Sequence, residues 1–257
     1  MKKLIGSLVV MALLPMALMV GCSSSNPSDP SHPGGGFGTP TFTATPIATA
    51  QSVQAMVVLG TAANYGVLSA TGITNTGATT VCGGLACTNP SVPGSIIVIC
   101  GGATDVNNTA ATNAELALGA AYTDASHRTG GAVIPAGGDI GGQTLYAGLY
   151  TDLGDLHLAT SDMTFDAQCN SNAVFIIQVT GNLIVASARK VNLINGAKAA
   201  NIFWQVTGYC SLDTTASFAG NVMAHTAVTF NTGASLEGRA LAQTANVTFL
   251  ANNITFP

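Results

Sequence analysis

Apolar runs and Gly, Asn or Asp corners alternate along the last third of the chain. Four segments there begin alike: Thr180-Gly181, Thr207-Gly208, Thr226-Ala227 and Thr244-Ala245. Each pair follows an apolar run, VFIIQV, IFWQV, NVMAH or RALAQ. The starts are 27, 19 and 18 residues apart (180 to 207, 207 to 226, 226 to 244), a spacing at which one repeat makes one layer of a stacked array. Within a layer the pattern predicts short strands at Ala227-Val228-Thr229-Phe230, Ser235-Leu236-Glu237 and Arg239-Ala240-Leu241-Ala242, with corners at Asn231-Thr232-Gly233 and Gly238. Three strands and three corners per layer describe one coil of a β-solenoid. A single coil cannot bury its own apolar side, so the coils must stack into a tube with three long faces.

The same signature stands near the start of the folded region. Asn75-Thr76-Gly77-Ala78 reappears at Asn231-Thr232-Gly233-Ala234, and a Gly-punctuated apolar segment follows each copy. The amino-terminal block is therefore read as another coil, separated in chain order from the carboxy-terminal stack, and the solenoid is expected to be discontinuous. Between the two lies the one convincing helix, expected over residues 105–128. Asp105, Asn108 or Thr109 can cap it, Ala111, Ala114, Leu118, Ala121, Tyr122 and Ala125 recur at helical spacing, and Gly130-Gly131 can end it.

A narrow, Ala-rich stripe suits close packing on a flat sheet. VFIIQV, IFWQV and VMA are apolar on both sides, as expected of a sheet covered on both faces. The helix is assigned to that face, with Phe175, Ile177, Phe203, Met223 and Leu241 as outward residues beneath it.

Two faces remain. On the first, Val228 and Phe230 point inward, so Ala227, Thr229 and Asn231 point outward. By the same alternation the neighbouring coils expose Gly72 and Thr74, Ser211, and Asn246 and Thr248. The second presents Thr164, Asn192, Ser217, Ser235 and Glu237, with Arg189 and Lys190 nearby, and is the more charged.

Composition then narrows the class. Only 7% of residues are charged, 30 are Gly, and mean hydropathy is +0.44, which fits a solenoid whose surface is covered by Thr, Ser and Asn. A net charge of −4 offers no clustered cations to displace counterions, so nucleic acid is not an expected partner.

The chain opens on Met1-Lys2-Lys3, an apolar run from Leu4 to Val20, and Gly21-Cys22. This describes a secretory signal over residues 1–22 rather than a spanning helix. Leu18-Met19-Val20-Gly21-Cys22 resembles the lipobox of bacterial lipoproteins, in which Cys22 becomes the lipid-modified first residue. An ordinary secretory signal with an incidental Cys is the alternative. Residues 23–55, rich in Ser, Pro, Gly and Thr, read as a flexible tether, and residues 56–257 as one domain. The expected location is export, with a lipid anchor at the cell envelope or release. Contact with membrane is expected only through Cys22.

Cys82, Cys87, Cys100, Cys169 and Cys210 remain; five leave one over and spacing does not give their connectivity. Cys82 with Cys87 or Cys100 is the most local pairing. No CxxC or HxxxH spacing accompanies them, so no metal site is expected. His32, His127, His157 and His225 are scattered and read as surface residues. Asp152, Asp155, Asp162 and Asp166 are clustered in sequence like a calcium loop or a glycosidase pair, but turn-forming Asp is the plainer reading. No nucleophile elbow, phosphate loop or dinucleotide fingerprint is present, and no catalytic role or cofactor is assigned.

Several segments together resemble the microbial ice-binding, or antifreeze, proteins. They are Thr71-Gly72-Ile73-Thr74-Asn75-Thr76-Gly77, Gly148-Leu149-Tyr150, Thr164-Phe165-Asp166-Ala167-Gln168 and Ala173-Val174-Phe175-Ile176-Ile177-Gln178. They continue through Val191-Asn192-Leu193-Ile194-Asn195-Gly196-Ala197, Asn201-Ile202-Phe203-Trp204-Gln205-Val206 and Leu236-Glu237-Gly238-Arg239-Ala240-Leu241-Ala242. The resemblance spans nearly all of residues 56–257. It implies a mainly β fold: a discontinuous right-handed three-sided β-helix with one long helix along a face. It also implies a monomer whose partner is the ice crystal, bound through one flat Thr-rich face.

The family motif Thr-[Ala/Gly]-X-[Thr/Asn] is met at Thr71-Gly72-Ile73-Thr74 and Thr226-Ala227-Val228-Thr229, and Thr76-Gly77-Ala78-Thr79 also fits. It is not met at Thr180-Gly181-Asn182-Leu183 or Thr207-Gly208-Tyr209-Cys210. Ile184 stands where a hydroxyl is expected, and His157 is expected on the same face. The expected ice-binding residues are Thr71, Thr74, Thr76, Ser211, Thr226, Thr229, Asn231 and Thr248, with the Thr164, Ser217 and Ser235 face as runner-up. The competing functional classes are a cell-surface adhesion module for polysaccharide or another cell, and a β-helical polysaccharide-cleaving enzyme, which would need a catalytic cluster on one face.

Overall fold

The computed structural model describes residues 53–89, 92–93, 95–135 and 138–257, all within the compact unit Thr39–Pro257. The signal segment with Cys22, His32 and nearly all of the tether lie outside the described residues. The strands stack in parallel, coil on coil, into three ladders. One is a six-stranded sheet in the order Leu156–Leu158, Leu183–Val185, Cys210–Leu212, Val228–Phe230, Val247–Leu250, Ile73–Thr76. The other two ladders share the eight-residue strands Ser217–Ala224 and Ser235–Ala242, which bend from one face to the next. The bend requires glycine: at Gly238 (φ +150°) an added Cβ would stand 1.9 Å from the Gly220 carbonyl oxygen.

Discontinuity is visible on all three faces. Val247 pairs with Ile73, Ala240 with Val67, and Asn253 with Thr80. The amino-terminal coil thus sits on the last carboxy-terminal coil. Arg239 fastens the junction. Its buried guanidinium donates to the Ala63 carbonyl at 3.1 Å and to Asn221 Oδ1 at 2.7 Å, and it lies 4.3 Å over the Phe256 ring. Burial lowers its pKa to about 10.

The tube is filled by inward side chains, with Phe165, Phe175, Trp204 and Phe218 in contact at one end and Phe230 against Phe249 at the other. Each large side chain removed from water contributes about 2 kcal/mol. The Trp204 indole N–H is satisfied by the Ala219 carbonyl at 3.0 Å. A second apolar layer lies outside the tube, where Ala111, Ala114, Leu118, Ala121 and Ala125 of the helix pack on Leu68, Leu149, Ile176, Phe203, Met223 and Leu241. Val57 and Leu59 join this layer from the segment that precedes the first coil.

The helix spans Thr109–His127, shorter at its start than the expected 105–128. Asn108 is the cap, its side-chain oxygen accepting from the Ala111 amide at 2.9 Å. Asp105 belongs instead to the strand Thr104–Val106, which extends the helix-covered sheet beside Gly84–Cys87. Strand pairing satisfies that backbone before the helix begins. The helix C-terminus is held by buried Gln178, whose amide donates to the carbonyls of Ala125 and Arg128, each at 2.8 Å.

Phe203, Met223 and Leu241 lie beneath the helix as expected, but Phe175 and Ile177 face the interior of the tube. Ile176 is the outward residue of that strand. In a run apolar on both sides, alternation gives no phase. Of the possible cysteine pairings, Cys82–Cys100 forms. Cys87 points into the core, where its thiol donates to the Asn89 carbonyl.

Candidate functional site

The six-stranded sheet carries the expected hydroxyl row. Inward Ile73, Leu212, Val228, Phe230, Val247 and Phe249 are fully buried, so the residues between them face outward. Register places Thr74 beside Thr248, Thr248 beside Thr229, and Thr229 beside Ser211. The row then runs on to Ile184 and His157. Thr74 is exposed and Ser211, Thr229 and Thr248 are half-buried by their neighbours in the row. Among the described residues, no protein group hydrogen-bonds the hydroxyls of Ser211 or Thr229.

The remaining expected residues fall at the margins of this sheet. Thr71 and Thr226 stand at the corner where the chain arrives from the helix-covered face, outside the strands. Thr76 ends the strand Ile73–Thr76, beside Leu250. Asn231 lies just past the strand Val228–Phe230 and gives its amide to Asp213 Oδ1 at 2.6 Å. The motif match Thr76-Gly77-Ala78-Thr79 does not add a surface hydroxyl. Thr79 is buried, donating to Asn75 Oδ1 at 2.7 Å and accepting from the Asn252 amide at 3.1 Å.

A second row precedes the first by two positions; it faces outward from Asn246 on, while Gly72, expected to be exposed, is buried. Backbone bonds from Val247 to Gly72, Val228 to Asn246, Cys210 to Ala227, Leu183 to Tyr209 and Leu156 to Asn182 set Gly72, Asn246, Ala227, Tyr209 and Asn182 side by side, with Asp155 next. The row changes character at Tyr209. From there on its side chains serve the backbone. Asn182 Oδ1 accepts from the Tyr209 amide at 3.1 Å, and Asp155 Oδ1 accepts from the Asn182 amide at 2.8 Å. An added Cβ at Gly208 would lie 2.1 Å from Asn182 Oδ1. Gly208 therefore leaves no room for a side chain, whereas Thr226 occupies the matching place in the next coil.

The runner-up face is not one continuous row. Thr144, Thr164 and Asn192 are in register, but Ser217 bridges to Lys190 rather than to Asn192. The Ser217 row continues through Ser235, Asn253 and Thr80 to exposed Ile97. An Arg189–Asp162 ion pair at 3.6 Å adds charge at the break.

The acidic residues act as corner ligands for backbone amides. Asp152 accepts from Gly154, Asp162 from Lys190 and Asp166 from Gln168. Burial would raise the Asp139 carboxyl, yet the amides of Gly141, Ala159 and Thr160 hold it below its ordinary value. Among the described residues, no three His, Cys, Asp or Glu side chains gather as a metal site. His225 Nδ1 lies 2.9 Å from Gln243 Oε1, and its ring centroid is 5.9 Å from that of Tyr122.

The Ice-binding-like family matches residues 67–255. The chain is 39% identical to an ice-binding protein of Colwellia sp over 217 residues, covering 78% of this chain and 84% of the relative. It is 34% identical to one from Flavobacterium frigoris (strain PS1) over 281 aligned residues, covering 99% of each. The crystal structure of an ice binding protein from an Antarctic biological consortium superposes with a TM-score of 0.77 at 39% identity, covering 81% of this chain and 95% of that one. Family match, sequence identity and superposition agree, and the chain belongs to the ice-binding-like family.

Proposed function

We propose that the protein adsorbs to ice through the six-stranded sheet and that Thr74, Thr248, Thr229 and Ser211 are the contact residues, with Thr71, Thr226, Thr76 and Asn231 at the rim. The observation that supports this reading most is the register of that row. Parallel strands repeat every 4.7–4.9 Å or so, so the outward hydroxyls form a rigid ladder near a lattice repeat of ice. Thr is stiff at χ1, its hydroxyl holds a water and its methyl disfavours disordered hydration. Adsorbed molecules then stop growth of the crystal between them.

No catalytic step is part of this reading. The adhesion alternative called for exposed aromatic side chains in a groove; among the described residues the markedly exposed aromatic is Tyr209, on a flat sheet. Export, with an acyl anchor at Cys22, is the proposed location. Incorporation of labelled palmitate, lost in Cys22→Ala, is the expected result for the anchor.

The test of the surface is Thr229→Tyr beside Ser235→Tyr, each read by thermal hysteresis and by melting temperature. Thr229→Tyr is expected to lower hysteresis and leave melting unchanged, while Ser235→Tyr changes neither. The reverse pattern would move the contact to the runner-up face.

A further inference from the structure

The two halves of the six-stranded sheet are built from coils of different length. Successive row positions are 27 residues apart from His157 to Ile184 and from Ile184 to Ser211, but 18 from Ser211 to Thr229 and 19 from Thr229 to Thr248. Both outward rows change character at the junction. In one, hydroxyls give way after Ser211 to Ile184 and His157. In the other, Gly72, Asn246 and Ala227 give way to Tyr209, then to Asn182 and Asp155, which are engaged with backbone amides.

Tyr209 is the tall residue at this step. It precedes fully buried Cys210 and so points outward, it is 41% exposed, and the matching positions on either side carry half-buried Ala227 and Asn182. A phenol ring reaches several ångström beyond a Thr hydroxyl or an Ala methyl. A rigid crystal plane resting on Thr229, Thr248 and Thr74 therefore meets the ring before it reaches the strand Leu183–Val185.

Resting on the ice-contact reading of this sheet, we infer that Tyr209 is the specificity-determining residue that bounds the contact surface. It restricts ice to the strands Cys210–Leu212, Val228–Phe230, Val247–Leu250 and Ile73–Thr76, with Ser211, its neighbour two residues on, as the last contact before Ile184. The ring acts by its bulk. Its hydroxyl makes no protein hydrogen bond among the described residues, so removal leaves no partner unsatisfied.

The test compares Tyr209→Ala, Tyr209→Thr and Tyr209→Phe with the unaltered protein and with Thr229→Tyr at equal molar concentration, reading thermal hysteresis and melting temperature. Tyr209→Ala and Tyr209→Thr are expected to raise hysteresis without loss of melting temperature, and Tyr209→Phe to match the unaltered protein. If Thr229→Tyr loses hysteresis while the small substitutions leave it equal or lower, the boundary role of Tyr209 is overturned and the face stands. If Thr229→Tyr is without effect, the face falls and the boundary with it. Should Tyr209→Ala melt early, Tyr209→Thr, which keeps a β-branched strand former at the site, decides.

Discussion

The Thr74 hydroxyl donates to the Thr248 hydroxyl at 3.0 Å, across 174 residues of chain. The Asn246 amide donates to the same Thr248 oxygen at 2.9 Å. The proposed contact surface therefore straddles the seam where the amino-terminal coil docks on the carboxy-terminal stack. Neither strand end alone presents the row. Its flatness depends on a long-range closure that must hold without a covalent link between those two strands.

Arg239 is expected to be the side chain on which that closure most depends. Arg239→Met keeps much of the apolar stem but strands the Asn221 carbonyl oxygen and the Ala63 carbonyl and removes the cation from Phe256. Losing buried, charge-assisted hydrogen bonds of this kind costs about 2–4 kcal/mol, measured by denaturant unfolding. Arg189→Met, which breaks a partly exposed ion pair, is expected to cost at most about 1 kcal/mol. Equal effects would remove Arg239 from the seam's energetics.

Much of this was legible in the chain because one face of each strand is polar. With Val228, Phe230, Val247 and Phe249 fixed inward by alternation, Thr229 and Thr248 had to face out, and the match of Thr71-Gly72-Ile73-Thr74 to Thr226-Ala227-Val228-Thr229 placed Thr74 with them. Where both faces are apolar the phase was lost, which is why Phe175 and Ile177 exchanged sides with Ile176. The helix start was overrun because Asp105 caps as well as Asn108 on residue type alone, and strand pairing to Gly84–Cys87 decided between them. Arg239 gave no local signal of burial, since its partners come from residues 63, 221 and 256. The segment Thr207-Gly208-Tyr209-Cys210 was visible as a departure from the motif through Cys210, but the place of Tyr209 follows only from the register that sets it beside Ala227 and Asn182.

Glu115 is expected to make the fold less stable as pH rises through neutrality. It lies on the helix, its Oε1 is buried without a hydrogen-bond partner among the described residues, and burial pushes its carboxyl from 4.5 up to about 8. The folded state therefore holds a proton that the unfolded chain releases above about 4.5, so this contribution is fully favourable below that pH and is lost as pH climbs through about 8. Thermal melts across that window should show a decline that Glu115→Gln flattens, with a gain in melting temperature near pH 8. A parallel decline in both proteins would assign the slope elsewhere.

Reduction of Cys82–Cys100 should weaken the amino-terminal coil. The bridge closes a loop of sequence separation 18 and ties the strand Thr79–Cys82 to the chain just past Ile96–Ile99, at the open end of its ladder. A loop of this size stabilises by about 3 kcal/mol through the unfolded state. Unfolding with and without reductant, with Cys82→Ser/Cys100→Ser as the check, reads the difference. A loss well under about 1 kcal/mol would mean that coil docking, rather than the crosslink, holds this end.

Ile184 interrupts the hydroxyl row directly beside Ser211, so Ile184→Thr would extend the row by one coil. Alone it is expected to leave hysteresis near that of the unaltered protein, because the Tyr209 ring stands between the new hydroxyl and a plane resting on Thr229. Combined with Tyr209→Ala it should raise hysteresis above either single substitution, a non-additive gain of the kind that neighbours sharing one surface produce. The fold should tolerate the change, since Ile and Thr are both β-branched strand formers at a half-buried outward position. If Ile184→Thr alone raised hysteresis as far as the pair, ice would already reach that coil past Tyr209, and the row's chemistry rather than the ring's height would set the edge of the contact.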